Sequence, residues 1–191
     1  MLKDKTHSTD TVAAGLVANT QTAHSAKGGG VYRIQCVDKD GKLKWEDSTH
    51  NLVVNEGLQN MNTQYFKGST YTAAFYLGLV TGPGSGTTYA AADTLASHAG
   101  WTEFTNYSGS RKAVTFGTAT TADPSVIATS SAVGFTISGA GGVVAGAFLC
   151  TVASGTSGVL FSEADFQSPG DRTVVSGDTL NVTYTFSLDA V

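Results

Sequence analysis

Thr179-Leu180-Asn181-Val182-Thr183-Tyr184-Thr185-Phe186-Ser187-Leu188 is the most regular alternation in the chain. Leu180, Val182, Tyr184, Phe186 and Leu188 fall on one face and the polar residues on the other. That is the pattern of a strand with one side against a core and the other in water. Residues 31–37 alternate in the same way, with Tyr32, Ile34 and Cys36 on one face and Val31, Arg33, Gln35 and Val37 on the other. Asp38-Lys39-Asp40-Gly41 then supplies a hairpin turn, because Asp-Gly tolerates the positive φ that such turns need. Residues 42–47 form the return strand, with Leu43 and Trp45 expected to face together. Residues 74–80, Ala-Phe-Tyr-Leu-Gly-Leu-Val, are a nearly continuous apolar run, expected to be a central strand. Further strands are expected near residues 101–105, 111–116, 132–137, 143–152 and 159–161. Many short strands separated by Gly, Ser and Asp turns predict an all-β fold, a β-sandwich or jelly roll.

The period changes once. Val54, Leu58, Met61 and Tyr65 are spaced four, three and four apart, which predicts one short helix with these residues on its inner face. A helical turn is also expected within residues 89–99. Residues 1–29 are polar and rich in Thr, Ala and Ser, and read as an extended N-terminal arm. Residues 30–191 form the sandwich domain. Gly28-Gly29-Gly30 and residues 139–142 read as hinges or turns. Cys36 and Cys150 each lie in an apolar run, and two buried free thiols are the expected state for a chain with no export signal in its first residues.

The composition excludes several classes of function. The chain has 191 residues, enough for one core, and its 14% of charged residues is well below the roughly 25% usual for soluble proteins. A net charge of -4 gives no basic footprint for nucleic acid, and no apolar run reaches the length of a membrane span. The four histidines form no HExxH motif and no zinc spacing with the cysteines. Neither glycine cluster continues into the Lys-Ser/Thr of a phosphate loop or opens a dinucleotide fingerprint. Asp38-Lys39-Asp40-Gly41 lacks the closing Glu of a calcium loop, and GxSxG does not occur. Glu163, Asp165 and Asp171 could pair in space as glycosidase acids do, but among turn glycines they read as solvated loop carboxylates. The expectation is therefore a protein with no catalytic residues, no cofactor and no metal.

Three stretches point to a family. Residues 30–36 (Gly-Val-Tyr-Arg-Ile-Gln-Cys), 40–47 (Asp-Gly-Lys-Leu-Lys-Trp-Glu-Asp) and 50–58 (His-Asn-Leu-Val-Val-Asn-Glu-Gly-Leu) resemble the front end of small structural proteins of tailed bacteriophages. The likeness continues through residues 75–79, 92–94, 101–103 and 176–185, and so covers most of residues 30–187. It implies a virion component, either a capsid decoration (cement) protein or a tail-, neck- or fibre-associated protein. It also implies the major capsid protein and further copies of the chain, as dimer or trimer, as partners. For such a protein the expected contact residues are Thr11, Val12, Leu16 and Val17 of the arm, with Tyr71, Tyr89, Trp101 and Tyr107 near element ends. Tyr65 and Phe66 belong to the same group of aromatics.

Overall fold

The computed structural model describes residues 25–67, 74–82, 87–166 and 170–190. In chain order the elements are β1 (Ala26–Val37), β2 (Leu43–His50), β3 (Leu52–Val53), α1 (Asn55–Lys67), β4 (Phe75–Thr81), β5 (Thr102–Phe104), β6 (Lys112–Val114), β7 (Ser125–Ala128), β8 (Val133–Thr136), β9 (Gly142–Cys150), β10 (Leu160–Asp165), β11 (Arg172–Val174) and β12 (Thr179–Ala190). They form two antiparallel sheets. The first runs β2-β1-β12-β7, with β8 beside β7 on the same strand β12. The second runs β3-β10-β9-β4-β5, with β11 on β9 and β6 on β4. The expected all-β sandwich with one short helix is the observed architecture.

Burial explains why the strands read so differently in sequence. Tyr32, Ile34 and Cys36 of β1 and Leu180, Val182, Tyr184 and Phe186 of β12 face Leu77, Leu79, Val144, Ala147 and Leu149 of the second sheet, making the main core. The other face of the first sheet meets water, hence the clean alternation. The second sheet is covered on both faces. Val80, Ala145, Phe148, Cys150 and Leu160 point away from the main core into a second one, closed by Val54, Leu95 and Trp101. This is why residues 75–80 and 143–150 are almost continuously apolar.

The hairpin β1–β2 forms as expected, with Gly41 at φ 81° in the turn. A bulge between Cys36 and Val37 shifts the register, so Trp45 turns inward while Leu43 stays half exposed. Cys36 and Cys150 are buried free thiols in different cores. Burial, with the Asp178 carboxylate adding, pushes the Cys36 thiol up to about 11.

Four expectations need correction. The first described strand starts at Ala26, so residues 26–29 belong to the sheet and not to an arm. Gly28 to Gly30 are strand residues and no hinge. A Cβ on Gly30 would lie 2.5 Å from the Thr185 carbonyl and 2.9 Å from the Tyr184 hydroxyl, so glycine lets the β12 aromatics cross β1. Residues 89–99 contain turns and a bridge between Thr94 and Ser97, without a helix. Helix α1 is present, but its inner face carries Gly57 and Met61, just after the buried Val54, while Leu58 and Tyr65 face outward. The cause is close docking on β10: a Cβ on Gly57 would lie 2.3 Å from the Phe161 carbonyl oxygen. No helix among the described residues is long and apolar enough to cross a membrane.

The docking of α1 gives a prediction with opposing contributions. Gly57→Ala gains about 1 kcal/mol of helix propensity, but overpacking against the β10 backbone costs about 1–3 kcal/mol. Net destabilisation is expected in urea unfolding. Gly29→Ala, with nothing within 4 Å of the added carbon, should be near neutral. A more stable Gly57→Ala would contradict the close docking.

Candidate functional site

Of the residues expected at an interface, Thr11, Val12, Leu16, Val17 and Tyr71 lie outside the described residues. Trp101 and Tyr107 are core residues, 4% and 5% exposed, and so present no contact surface. Tyr107 packs edge-on to Phe135, and Trp101 lies between the His98 ring, 3.7 Å away, and Phe148. Tyr89 is half-buried and stacks on Trp101. Trp101 and Tyr89 hold their segment over the second core, whereas Tyr107 packs into the main core.

The exposed apolar surface is elsewhere. Tyr65 and Phe66, at the end of α1, are 83% and 78% exposed, and their rings meet edge to face at 5.0 Å. Below them Met61, Phe75, Phe161 and Leu188 line a groove of about 580 Å3, with Ala26 at its edge. Phe161 forms the floor, packed edge-on against both Phe75 and Phe186. Leu188 keeps the inward phase of β12, yet it stays 41% exposed at the end of the strand. The outward turn of α1 imposed by Gly57 delivers Tyr65 and Phe66 to the rim. Exposed apolar patches of this kind are where contact surfaces are found in soluble proteins.

The carboxylates expected in solvent are placed differently. Glu163 is fully buried on the outer face of β10, where it accepts a hydrogen bond from Trp101 Nε1 at 2.9 Å. Burial first, then the facing Asp93 carboxylate, pushes Glu163 up to about 8, so it is mostly protonated at neutral pH. Asp165 is also raised, by burial and then by Asp171. Glu56 fastens the same segment from the other side, accepting from the Leu95 and Leu160 amides at 3.1 and 2.7 Å. Glu163 is sealed from solvent beneath Trp101, where its hydrogen bond holds residues 87–101 over the second core. No group of three or more His, Cys, Asp or Glu among the described residues is arranged for a metal ion.

The buried ion pairs have the same structural character. Arg111 donates to both Glu103 oxygens at 2.9 and 2.8 Å and to the Gly155 carbonyl at 2.9 Å, tying the loop after β9 to the sheet. Arg172 pairs with Asp47 at 3.2 Å, joining the two sheets. Compared with protein-family models, curated proteins and solved structures, the chain gives no match.

The Glu163 proton sets a pH dependence. The folded protein holds it between about 4.5 and 8, where the unfolded chain has lost it. Stability from this group therefore falls as pH rises through that window and levels off above it. Glu163→Gln keeps an acceptor for Trp101 and has no proton to lose. It should unfold on the order of 5 °C higher at pH 8 and nearly unchanged at pH 4. Parallel melting curves for the two proteins across this range would contradict the assignment.

Proposed function

We propose that the chain is a non-enzymatic structural protein of a tailed-phage virion, most specifically a capsid decoration protein that binds and stabilises the major capsid lattice. The observation that carries this reading is the exposed aromatic groove at the end of α1. The resemblance of residues 30–187 to small phage structural proteins supports it. A rigid body with one apolar face suits attachment to a repeating lattice, where many modest contacts add through multivalency. Aromatic side chains are the usual anchors of such faces. In this role the partners are the major capsid protein and further copies of the chain, and the site of action is the capsid exterior.

The test uses shells of the major capsid protein that lack the decoration protein. Purified chain should bind them and raise their disruption temperature. The double variant Tyr65→Ser, Phe66→Ser should lose shell affinity by tenfold or more, yet melt within about 2 °C of the wild type, because both side chains are exposed. Absence of binding, or immunogold labelling confined to the tail, would overturn the capsid assignment.

A further inference from the structure

Residues 89–99 form a loop over the second core, closed at its base by the Thr88 amide, which donates to the Gly100 carbonyl at 3.1 Å. The loop drives Leu95, fully buried, into that core. It is joined to α1 by the Asn55 amide, which donates to the Ala91 carbonyl at 2.8 Å, and by its own Leu95 amide, bonded to Glu56. Its contact with β10 is of another kind. Glu163 accepts from Trp101 with Oε2, while Oε1, equally buried, meets no donor. The Asp93 carboxyl of the loop lies within hydrogen-bonding reach of Glu163. The Ala90 amide faces it too, but is bonded to Asp93 Oδ2 at 3.2 Å. No cation offsets this meeting of two acids. Leu52 of β3 and Phe148 of β9 stand opposite Glu163 in register, and Arg111, over the Phe148 ring, is bound to Glu103. The other titratable groups nearby are the Tyr89 hydroxyl of the loop, Tyr32 of β1 and, beyond Tyr89, Asp165 and Asp171. His98 stacks on the far side of Trp101. As a carboxylate, Glu163 would set one buried acceptor against another. As an acid it donates to Asp93 and still accepts from Trp101.

We propose that Glu163 and Asp93 form a proton latch, in which protonated Glu163 clamps residues 89–99 over the second core and loss of the proton releases the loop while the sandwich stays folded. Release is local because the two sides of the contact are held so differently. Glu163 lies in β10, paired on both sides with β3 and β9. Asp93 lies in a loop without regular structure, whose base at Thr88 and Gly100 leads into β5. When the two carboxylates repel, the loop is therefore the part that moves, and Asp93 carries Leu95 out with it. The open form uncovers Val54, Val80, Phe148 and Leu160, an apolar surface that the closed form hides. The sign follows from linkage. Closed, Glu163 holds its proton up to about 8, and with the loop lifted it returns toward its ordinary 4.5. Opening is thus favoured as pH rises through 8, by about tenfold between pH 7 and pH 9. The latch belongs to the isolated chain and is independent of the virion role.

Hydrogen exchange of the full chain, followed by mass spectrometry at pH 7 and pH 9 and corrected for the intrinsic pH dependence of exchange, tests the latch. Protection of residues 89–99 should fall about tenfold at the higher pH, with that of β1 and β12 unchanged. Glu163→Gln supplies a permanent donor to Asp93 and an acceptor to Trp101, so its loop should stay equally protected at both pH values. Asp93→Asn donates to the ionised Glu163 and should remove the pH response from the other side of the contact. Unchanged loop protection in the wild type would overturn the proposal. An equal loss in β1 and β12 would overturn it too, making the proton a stabiliser of the whole fold. So would a wild-type response in either variant, which would place the titrating group elsewhere.

Discussion

Pairing between the first described strand and the last holds the sandwich together. β1 and β12 run antiparallel in unbroken register from Ala26 opposite Ala190 to Val37 opposite Thr179. At the centre of that ladder Tyr32 and Tyr184 are direct partners with ring centroids 4.7 Å apart. Both hydroxyls reach across the core to Ser162 of the other sheet, Tyr32 at 2.7 Å and Tyr184 at 3.4 Å. Asn51 then bonds Tyr184 and the Gly30 amide together. Three buried hydroxyls and an amide thus satisfy one another in a low-dielectric interior, where any one left alone would cost several kcal/mol, on the order of 2–7. The network fixes the register of the strands and the spacing of the sheets at once. Since β12 also carries β7 and β8, the whole first sheet depends on this pairing.

The second sheet answers a different constraint. Apolar on both faces, it needs a second cover, which residues 87–101 supply without regular structure. A cover of that kind has few backbone partners of its own, so side chains fasten it: Glu163 through Trp101, and Glu56 through the Leu95 amide. The buried acids are therefore fasteners on the hidden side of the sheet. The exposed aromatic surface is concentrated where α1 ends. In the proposed virion role, that is the character an attachment face requires.

Periodicity made the one-sided strands legible. Tyr32, Ile34 and Cys36 of β1 and Leu180, Val182, Tyr184 and Phe186 of β12 are legible because each depends only on alternation and a single buried face. The continuous runs identified central strands for the converse reason. What sequence could not show were the places where a distant backbone decides orientation. The bulge after Cys36 turns Leu43 outward, and the bulge in β10 brings Phe161 and Ser162 both to the main core. Helix α1 is rotated by the Phe161 carbonyl, which no spacing within residues 54–65 reveals. Glycines 28–30 resembled a hinge because their purpose lies in the aromatics of a strand about 155 residues away. Glu163 resembled a loop acid because its cover comes from residue 101. Of the groove, Tyr65 and Phe66 carried a signal as adjacent aromatics near a helix end. Leu188 carried none, since its pattern is that of a buried residue.

The contact face can be located by photo-cross-linking. A photoreactive phenylalanine analogue is placed at Phe66 on the groove rim or, separately, at Gln35 on the exposed outer face of β1. Each protein is then irradiated on major-capsid shells. Adducts with the major capsid protein from position 66 and none from position 35 are the predicted result. Adducts from position 35 alone would contradict it, placing attachment on the polar sheet and leaving the aromatic groove without a part in it.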